Sequence, residues 1–164
     1  MATTRQSRAQ PRSASAGHQV FLSYSGEDAF EASLLQYAIE QMLADQNATV
    51  WTYQRDQARD ERNIGKSLKD RVRESSATIF LVSPSTLDTG AAQWMELAYA
   101  DAYNVPTFVI LHRLTFNELT SRERGVPPLL LESQCNASAE WRNVVESLRL
   151  RIVARANRES RRKS

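Results

Sequence analysis

Short runs of consecutive apolar residues alternate with stretches in which apolar residues recur every three or four positions. The first pattern predicts strands buried on both faces, and the second predicts amphipathic helices. The predicted strands are His18–Tyr24, Thr49–Tyr53, Ala77–Val82, Val105–Leu111 and Pro128–Leu131. The predicted helices are Phe30–Ala44, Ile64–Val72, Ala91–Tyr103 and Ala139–Ala154, and the polar segment Gln54–Asn63 is predicted to be a long loop.

This alternation of strands and helices is typical of an α/β domain. It predicts one five-stranded parallel sheet with helices on both faces. Ligands of such sheets bind at the carboxyl ends of strands, near the point where the strand order reverses. The connections after Tyr24, Tyr53 and Val82 are therefore the places to look for a site.

Composition and charge divide the chain into three parts. The 164 residues include 41% hydrophobic and 24% charged residues, which indicates one globular domain. The net charge of +2 is uneven, because residues 1–17 carry +3 and residues 154–164 carry +4, which leaves −5 for residues 18–153. We predict a disordered basic leader (1–17), a folded domain (18–153) and a basic tail or linker (154–164). The tails are either solvated segments or weak contacts for RNA or anionic lipid, whereas the acidic domain itself is not expected to bind nucleic acid.

Several common chemistries lack their motifs in this sequence. There is no phosphate-binding P-loop, no G-x-G-x-x-G after the first strand and no G-x-S-x-G. One cysteine and two distant histidines, His18 and His112, predict no metal site and no resident cofactor. No apolar run approaches the length of a membrane span, no secretory signal is present, and a single thiol suits the reducing cytoplasm.

Five segments together resemble the TIR (Toll/interleukin-1 receptor) domain family. They are FLSYSGED (Phe21–Asp28), Gly65, FLVSPSTLD (Phe80–Asp88), WMELAYADA (Trp94–Ala102) and VPTFVIL (Val105–Leu111), in the family's order and spacing. The resemblance spans roughly residues 18–150. It implies a flavodoxin-like sheet of strand order 2-1-3-4-5. It also implies one of two functions, because some TIR domains are scaffolds that assemble through TIR–TIR contacts and others cleave the nicotinamide–ribose bond of NAD⁺.

The resemblance assigns the catalytic role to Glu96, which matches the essential glutamate of the family's third helix. The nicotinamide of NAD⁺ is already a cationic leaving group, so no general acid is needed to expel it. A carboxylate close to the ribose stabilises the oxocarbenium-like charge. This chemistry requires an ionised glutamate and does not require a raised pKa. The alternative is that Glu96 is an ordinary solvated helix residue.

The other candidate substrate-binding residues are Tyr24, Ser25, Ser83, Trp94 and Arg55. Tyr24 and Ser25 match family positions that line the NAD⁺ site, and Arg55 offers a cation to the phosphates. Each has a structural alternative: a core ring for Tyr24, a helix cap for Ser83 and a solvated loop for Arg55.

Trp94 departs from the family pattern. Enzymatic members usually carry an aromatic residue four positions before the glutamate, where this chain has Ala92. Two helical residues differ by about 200° in direction, so Trp94 and Glu96 do not share a face of a regular helix. Trp94 either lies in an irregular helix entry near the substrate or packs in the core. Tyr53 and Trp51 are expected to pack on the sheet.

We therefore expect a cytoplasmic TIR-domain NAD⁺ glycohydrolase that releases nicotinamide and either ADP-ribose or a cyclic product. The resemblance implies activation by self-assembly with other TIR domains, in immune or antiphage-type signalling. The main alternative is a non-catalytic TIR–TIR interaction module. A third possibility is a nucleoside-modifying transferase of related fold, which also uses a glutamate.

Overall fold

A computed structural model describes residues 17–56, 64–122 and 125–163. Its strands are β1 (His18–Tyr24), β2 (Ala48–Trp51), β3 (Ala77–Val82), β4 (Thr107–Leu111) and β5 (Gln134–Ala137). Its helices are α1 (Ala29–Met42), α2 (Tyr53–Asp56), α3 (Ile64–Glu74), α4 (Pro84–Thr89), α5 (Ala91–Ala102), α6 (Phe116–Ser121), α7 (Pro128–Glu132) and α8 (Trp141–Lys163).

The five strands form one parallel sheet of order β2-β1-β3-β4-β5. This arrangement confirms the predicted α/β fold class and strand order. β1 and β3 pair in the register Leu22 to Ile79, and β3 pairs with β4 in the register Ile79 to Phe108. The strand order reverses at β1 and β3, so their carboxyl ends mark the expected binding edge.

Alternating residues of the central strands face two helical layers. Val20 and Leu22 of β1 face α1 and α8, within a core that includes Ile39 and Leu148. Phe21 faces the other side of the sheet, where the buried cluster contains Trp51 and Val72 next to α3 and α5. The two-residue period of β1 therefore directs Ser23 toward the α3–α5 layer.

The predicted fifth strand is wrong in position. Pro128–Glu132 forms α7, and the edge strand is the following segment, Gln134–Ala137. A short apolar run does not distinguish a strand from a buried helix, and Pro128 occupies the first helical turn, where its missing N–H costs nothing. The true strand has the polar sequence QCNA and only Asn136 is buried, so it lacks the apolar signal.

Three further differences concern the helices. Tyr53 begins α2 and does not end β2. The helices α4 and α6 were not predicted, although serine and threonine caps (Ser83 and Thr115) mark their starts. The closing helix begins at Trp141 and extends beyond its predicted end at Ala154 to Lys163. Within the described residues, no helix combines the length and apolar character that crossing a bilayer requires.

Candidate functional site

A cavity of about 280 Å³ opens at the carboxyl end of β1. The sheet supplies one wall, and α3 and α5 supply the others. Its lining residues are Phe21, Leu22, Ser23, Tyr24, Gly26, Tyr53, Leu68, Ala92 and Glu96. It therefore lies at the edge of the sheet where the strand order predicts a ligand.

The packing of α5 brings Glu96 into this cavity. Gln93, Leu97 and Ala100 form the buried side of the helix, at a spacing of three to four residues. The Gln93 side-chain amide donates a 3.2 Å hydrogen bond to the carbonyl of Leu81, which ties the helix to the end of β3. Ala92 and Glu96 are one turn apart, so they line the cavity together.

Glu96 is a carboxyl group in a largely apolar setting. Burial raises its pKa from the usual 4.5 to about 7, and a hydrogen bond donated by the Ser23 hydroxyl to Oε2 opposes that shift. Desolvation dominates because Ser23 is the sole hydrogen-bond partner of this carboxyl among the described residues. The chemistry expected from the sequence needs an ionised glutamate, whereas burial in this cavity favours the protonated form of Glu96.

Two tyrosines are among the residues that line the cavity. Tyr24 is a predicted site residue, and it also packs against the core on the α1–α8 side. Tyr53 was expected to pack on the sheet, but it begins α2, is 44% exposed and lines the cavity. Sequence reasoning missed Tyr53 because TVWTY reads as one continuous strand. Sequence reasoning also missed Ser23, whose role depends on which helix packs over β1.

Ser25 and Ser83 lie close to the cavity but are not among its lining residues. The Ser25 hydroxyl is 2.6 Å from that of Ser85. The Ser83 hydroxyl accepts from the backbone of Thr86 as the cap of α4 and donates to the buried carboxylate of Asp28 at 2.5 Å. Both hydroxyls are therefore engaged in buried structural bonds, and their contact with substrate stays a prediction.

Of the two remaining candidates, the structure describes the position of the Trp94 side chain but not that of the Arg55 side chain. Helix α5 begins at Ala91, so Trp94 lies within regular helix, points away from Glu96 and packs against the cluster that includes Phe80. Trp94 therefore packs in the core, as the structural alternative expected, and its contact with substrate stays a prediction. The side chain of Arg55 lies outside the described residues, so its phosphate contact stays a prediction.

One side-chain cluster has ligand types that suit a metal ion. Single ligand atoms of Asp28, Glu31 and His112 lie within 4.8 Å of one another. The carboxylate of Asp28 already accepts from Ser83 at one oxygen and from Arg113 at the other, at 3.0 Å. The cation of Arg113 opposes a second positive charge there, so the cluster is an ion-pair network around the buried Asp28.

The TIR domain family profile matches residues 20–151, and the chain belongs to the TIR domain family. This match confirms the resemblance seen in the five sequence segments. No protein with a curated description shows significant sequence similarity to the chain.

Solved structures share the fold. A 2-desoxiribosyltransferase from Leishmania mexicana is 16% identical, with a TM-score of 0.55 over 79% of this chain and 97% of that one. The TIR domains of the activated Roq1 resistosome, which recognises the pathogen effector XopQ, are 14% identical, with a TM-score of 0.53 over 86% of this chain and 84% of that one. At these identities, both likenesses concern the fold alone.

Proposed function

We propose that this TIR domain cleaves the bond between nicotinamide and ribose in NAD⁺. The observation behind the proposal is a single carboxyl group, Glu96, placed with Ser23 in a cavity at the switch point of a TIR fold. Nicotinamide leaves as a neutral molecule with the bonding electron pair, and positive charge develops on the ribose. The Glu96 carboxylate stabilises that charge until water adds to the anomeric carbon and loses a proton, or an internal nucleophile closes a ring.

The raised pKa of Glu96 is compatible with this chemistry. Nicotinamide in NAD⁺ is cationic, and a positive charge within a few ångströms favours the ionised form of a carboxyl group. Substrate binding therefore shifts Glu96 toward the carboxylate that the reaction needs. In the empty site, the proton removes the cost of a buried charge.

Self-assembly is the second part of the proposal. A cavity of about 280 Å³ is slightly smaller than most small-molecule sites, so we assign it to the nicotinamide–ribose end of NAD⁺ and not to the whole dinucleotide. Phe30, Leu34 and Tyr37 leave an apolar stripe on α1 that is 56–71% exposed, a feature typical of protein contacts. We propose that other TIR domains dock there and complete the site, as a cytoplasmic switch in immune or antiphage-type signalling.

A chromatographic assay of nicotinamide release tests the enzyme. The protein is incubated with NAD⁺ at high concentration with a crowding agent, beside the Glu96→Gln variant, and light scattering reports assembly. We expect release that disappears in the variant, and the second product peak distinguishes hydrolysis from cyclisation. Undiminished release from folded Glu96→Gln protein would refute the role of Glu96.

The alternative function is a non-catalytic interaction module, which the exposed α1 stripe favours independently of Glu96. Assembled protein that leaves NAD⁺ intact would establish it. Nucleosides are tested in parallel, because a neighbour of the same fold is named as a desoxiribosyltransferase. Base release from a nucleoside but not from NAD⁺ would indicate that Glu96 acts in cleavage of the base–sugar bond of nucleosides.

A further inference from the structure

A second cleft lies at the opposite edge of the sheet from Glu96. It has a volume of about 490 Å³, within the range of small-molecule sites. Its floor includes Ser75 and Ser76 immediately before β3, and Val105 and Pro106 immediately before β4. Because the strands are parallel, these amino ends are remote from the carboxyl end of β1, and an occupant does not compete with a ligand at Glu96.

Four arginines of α8 line this arginine cleft: Arg151, Arg155, Arg158 and Arg162. Their spacing of four, three and four residues places them on one face of the helix, along about 16 Å. The remaining lining residues include the hydroxyls of Ser75 and Ser76, the amide of Asn104 and the ring of Tyr103.

The positive charge of the cleft is only partly balanced. Glu159 is its one acidic lining residue, and it pairs with Arg155 at 3.0 Å. Arg155 also donates to the carbonyl of Ser75 and the hydroxyl of Ser76, so its guanidinium is held against the floor. In the described part of the chain, Arg151, Arg158 and Arg162 form no ion pair.

Neither the helix dipole nor the acidic residues of the neighbouring surface explain why four arginines line the cleft. The dipole favours cations in the last turn of a helix, but Arg151 and Arg155 lie two to three turns before its end. An adjoining cleft shares Arg151 and adds Asp101 and Glu132. The uncompensated charge is therefore concentrated at Arg158 and Arg162.

We propose that the arginine cleft binds a compact ligand with two or more phosphate groups, of the nucleoside di- or triphosphate class. Guanidinium groups bind phosphate oxygens through paired, charge-assisted hydrogen bonds, so Arg158 and Arg162 hold the phosphates. Tyr103, whose ring also packs against the core, and the amide of Asn104 line the same cleft and offer contacts to a base. This inference is independent of NAD⁺ cleavage, since it uses no residue of the Glu96 cavity.

Calorimetric titration of the full chain with ATP tests the proposal. We expect one saturable site per chain and a loss of affinity of about tenfold or more in Arg158→Glu/Arg162→Glu. Arg122→Glu/Arg142→Glu is the matched control, because it makes the same charge change away from the cleft, and Arg142 points about 180° away from Arg151. Its affinity should stay within about twofold of the parent chain. If the reversed pair fails to fold by circular dichroism, Arg158→Gln/Arg162→Gln replaces it.

Four results would overturn the proposal. If ATP does not bind, the four arginines are an ordinary solvated face of α8. If the control pair loses as much ATP affinity as the cleft pair, the binding reflects only the net charge of the protein. If inorganic tripolyphosphate binds as tightly as ATP, the cleft recognises phosphate groups and not a nucleoside. A single-stranded oligonucleotide that binds while ATP does not makes the helix a nucleic-acid contact.

Discussion

Replacing Glu96 by glutamine isolates the cost of ionising a buried carboxyl group. Glutamine has nearly the same size, and its amide oxygen accepts the hydrogen bond of Ser23 as the carboxyl does. It cannot lose a proton between pH 4 and 9. The variant therefore behaves as a permanent mimic of protonated Glu96, and its difference from the parent chain reports that ionisation alone.

The size and the pH window of this effect follow from the pKa shift. The folded-state pKa of about 7 lies above the ordinary 4.5, so the folded protein holds the proton more tightly than the unfolded chain does. The stability that protonated Glu96 contributes is then fully present below pH 4.5, and it is lost as pH rises toward and through 7. The difference between a pKa of 4.5 and one of about 7 corresponds to about 3 kcal/mol. We expect the free energy of unfolding of Glu96→Gln to match that of the parent chain at pH 4 and to exceed it by about 3 kcal/mol above pH 8.

Urea unfolding followed by tryptophan fluorescence across pH 4–9 measures this difference. Asp101→Asn is the matched control, because Asp101 lies on the same helix but is exposed, and its substitution should give no pH-dependent gain of this size. A Glu96→Gln protein that is no more stable than the parent chain at pH 8.5 would refute the burial argument. So would a stability difference that does not change between pH 4 and 9.

Three other substitutions test neighbouring features. Ser23→Ala removes the hydrogen bond that lowers the pKa of Glu96, so the rise of NAD⁺ cleavage with pH should move to higher pH; an unchanged profile would exclude a positioning role. Gly90→Ala should destabilise the fold measurably in thermal unfolding, because a Cβ there overlaps the carbonyl oxygen of Thr86; a neutral result would contradict that contact. Trp94→Ala should cost about 2 kcal/mol in urea unfolding, while cleavage per folded molecule stays within about twofold; a selective rise in KM would instead indicate substrate stacking.

The central sheet was predictable because its strands are buried on both faces. Val20, Phe21 and Leu22 are all buried, and an uninterrupted apolar run is the direct consequence of helices on both sides. The edge strand β5 breaks that rule, because only Asn136 of its four residues is buried. The strand was predicted instead at the neighbouring apolar segment, which forms α7. Periodicity reports burial, so it fails where an edge strand is polar and a short helix is buried.

The candidate site was predictable only in part. Glu96 came from the family motif, and its angular separation from Trp94 followed from helical geometry. Ser23 and Tyr53 have no such motif. Ser23 acquires its role because β1 directs it toward the layer that contains α5, and Tyr53 because the chain turns into α2 after Trp51. Both depend on tertiary packing, which local sequence patterns do not contain.

The cost of burying Glu96 is itself an argument about its function. A residue needed only to accept a hydrogen bond from Ser23 is served as well by glutamine, without the loss of about 3 kcal/mol at high pH. Ionisable groups with strongly shifted pKa values are found preferentially at catalytic and binding sites. An interaction module has no use for that carboxylate beneath its surface, whereas a cationic substrate provides the charge that stabilises it. Glu96→Gln therefore separates the two functions: greater stability with lost NAD⁺ cleavage supports the enzyme, and greater stability with assembly intact and no cleavage in either protein supports the scaffold.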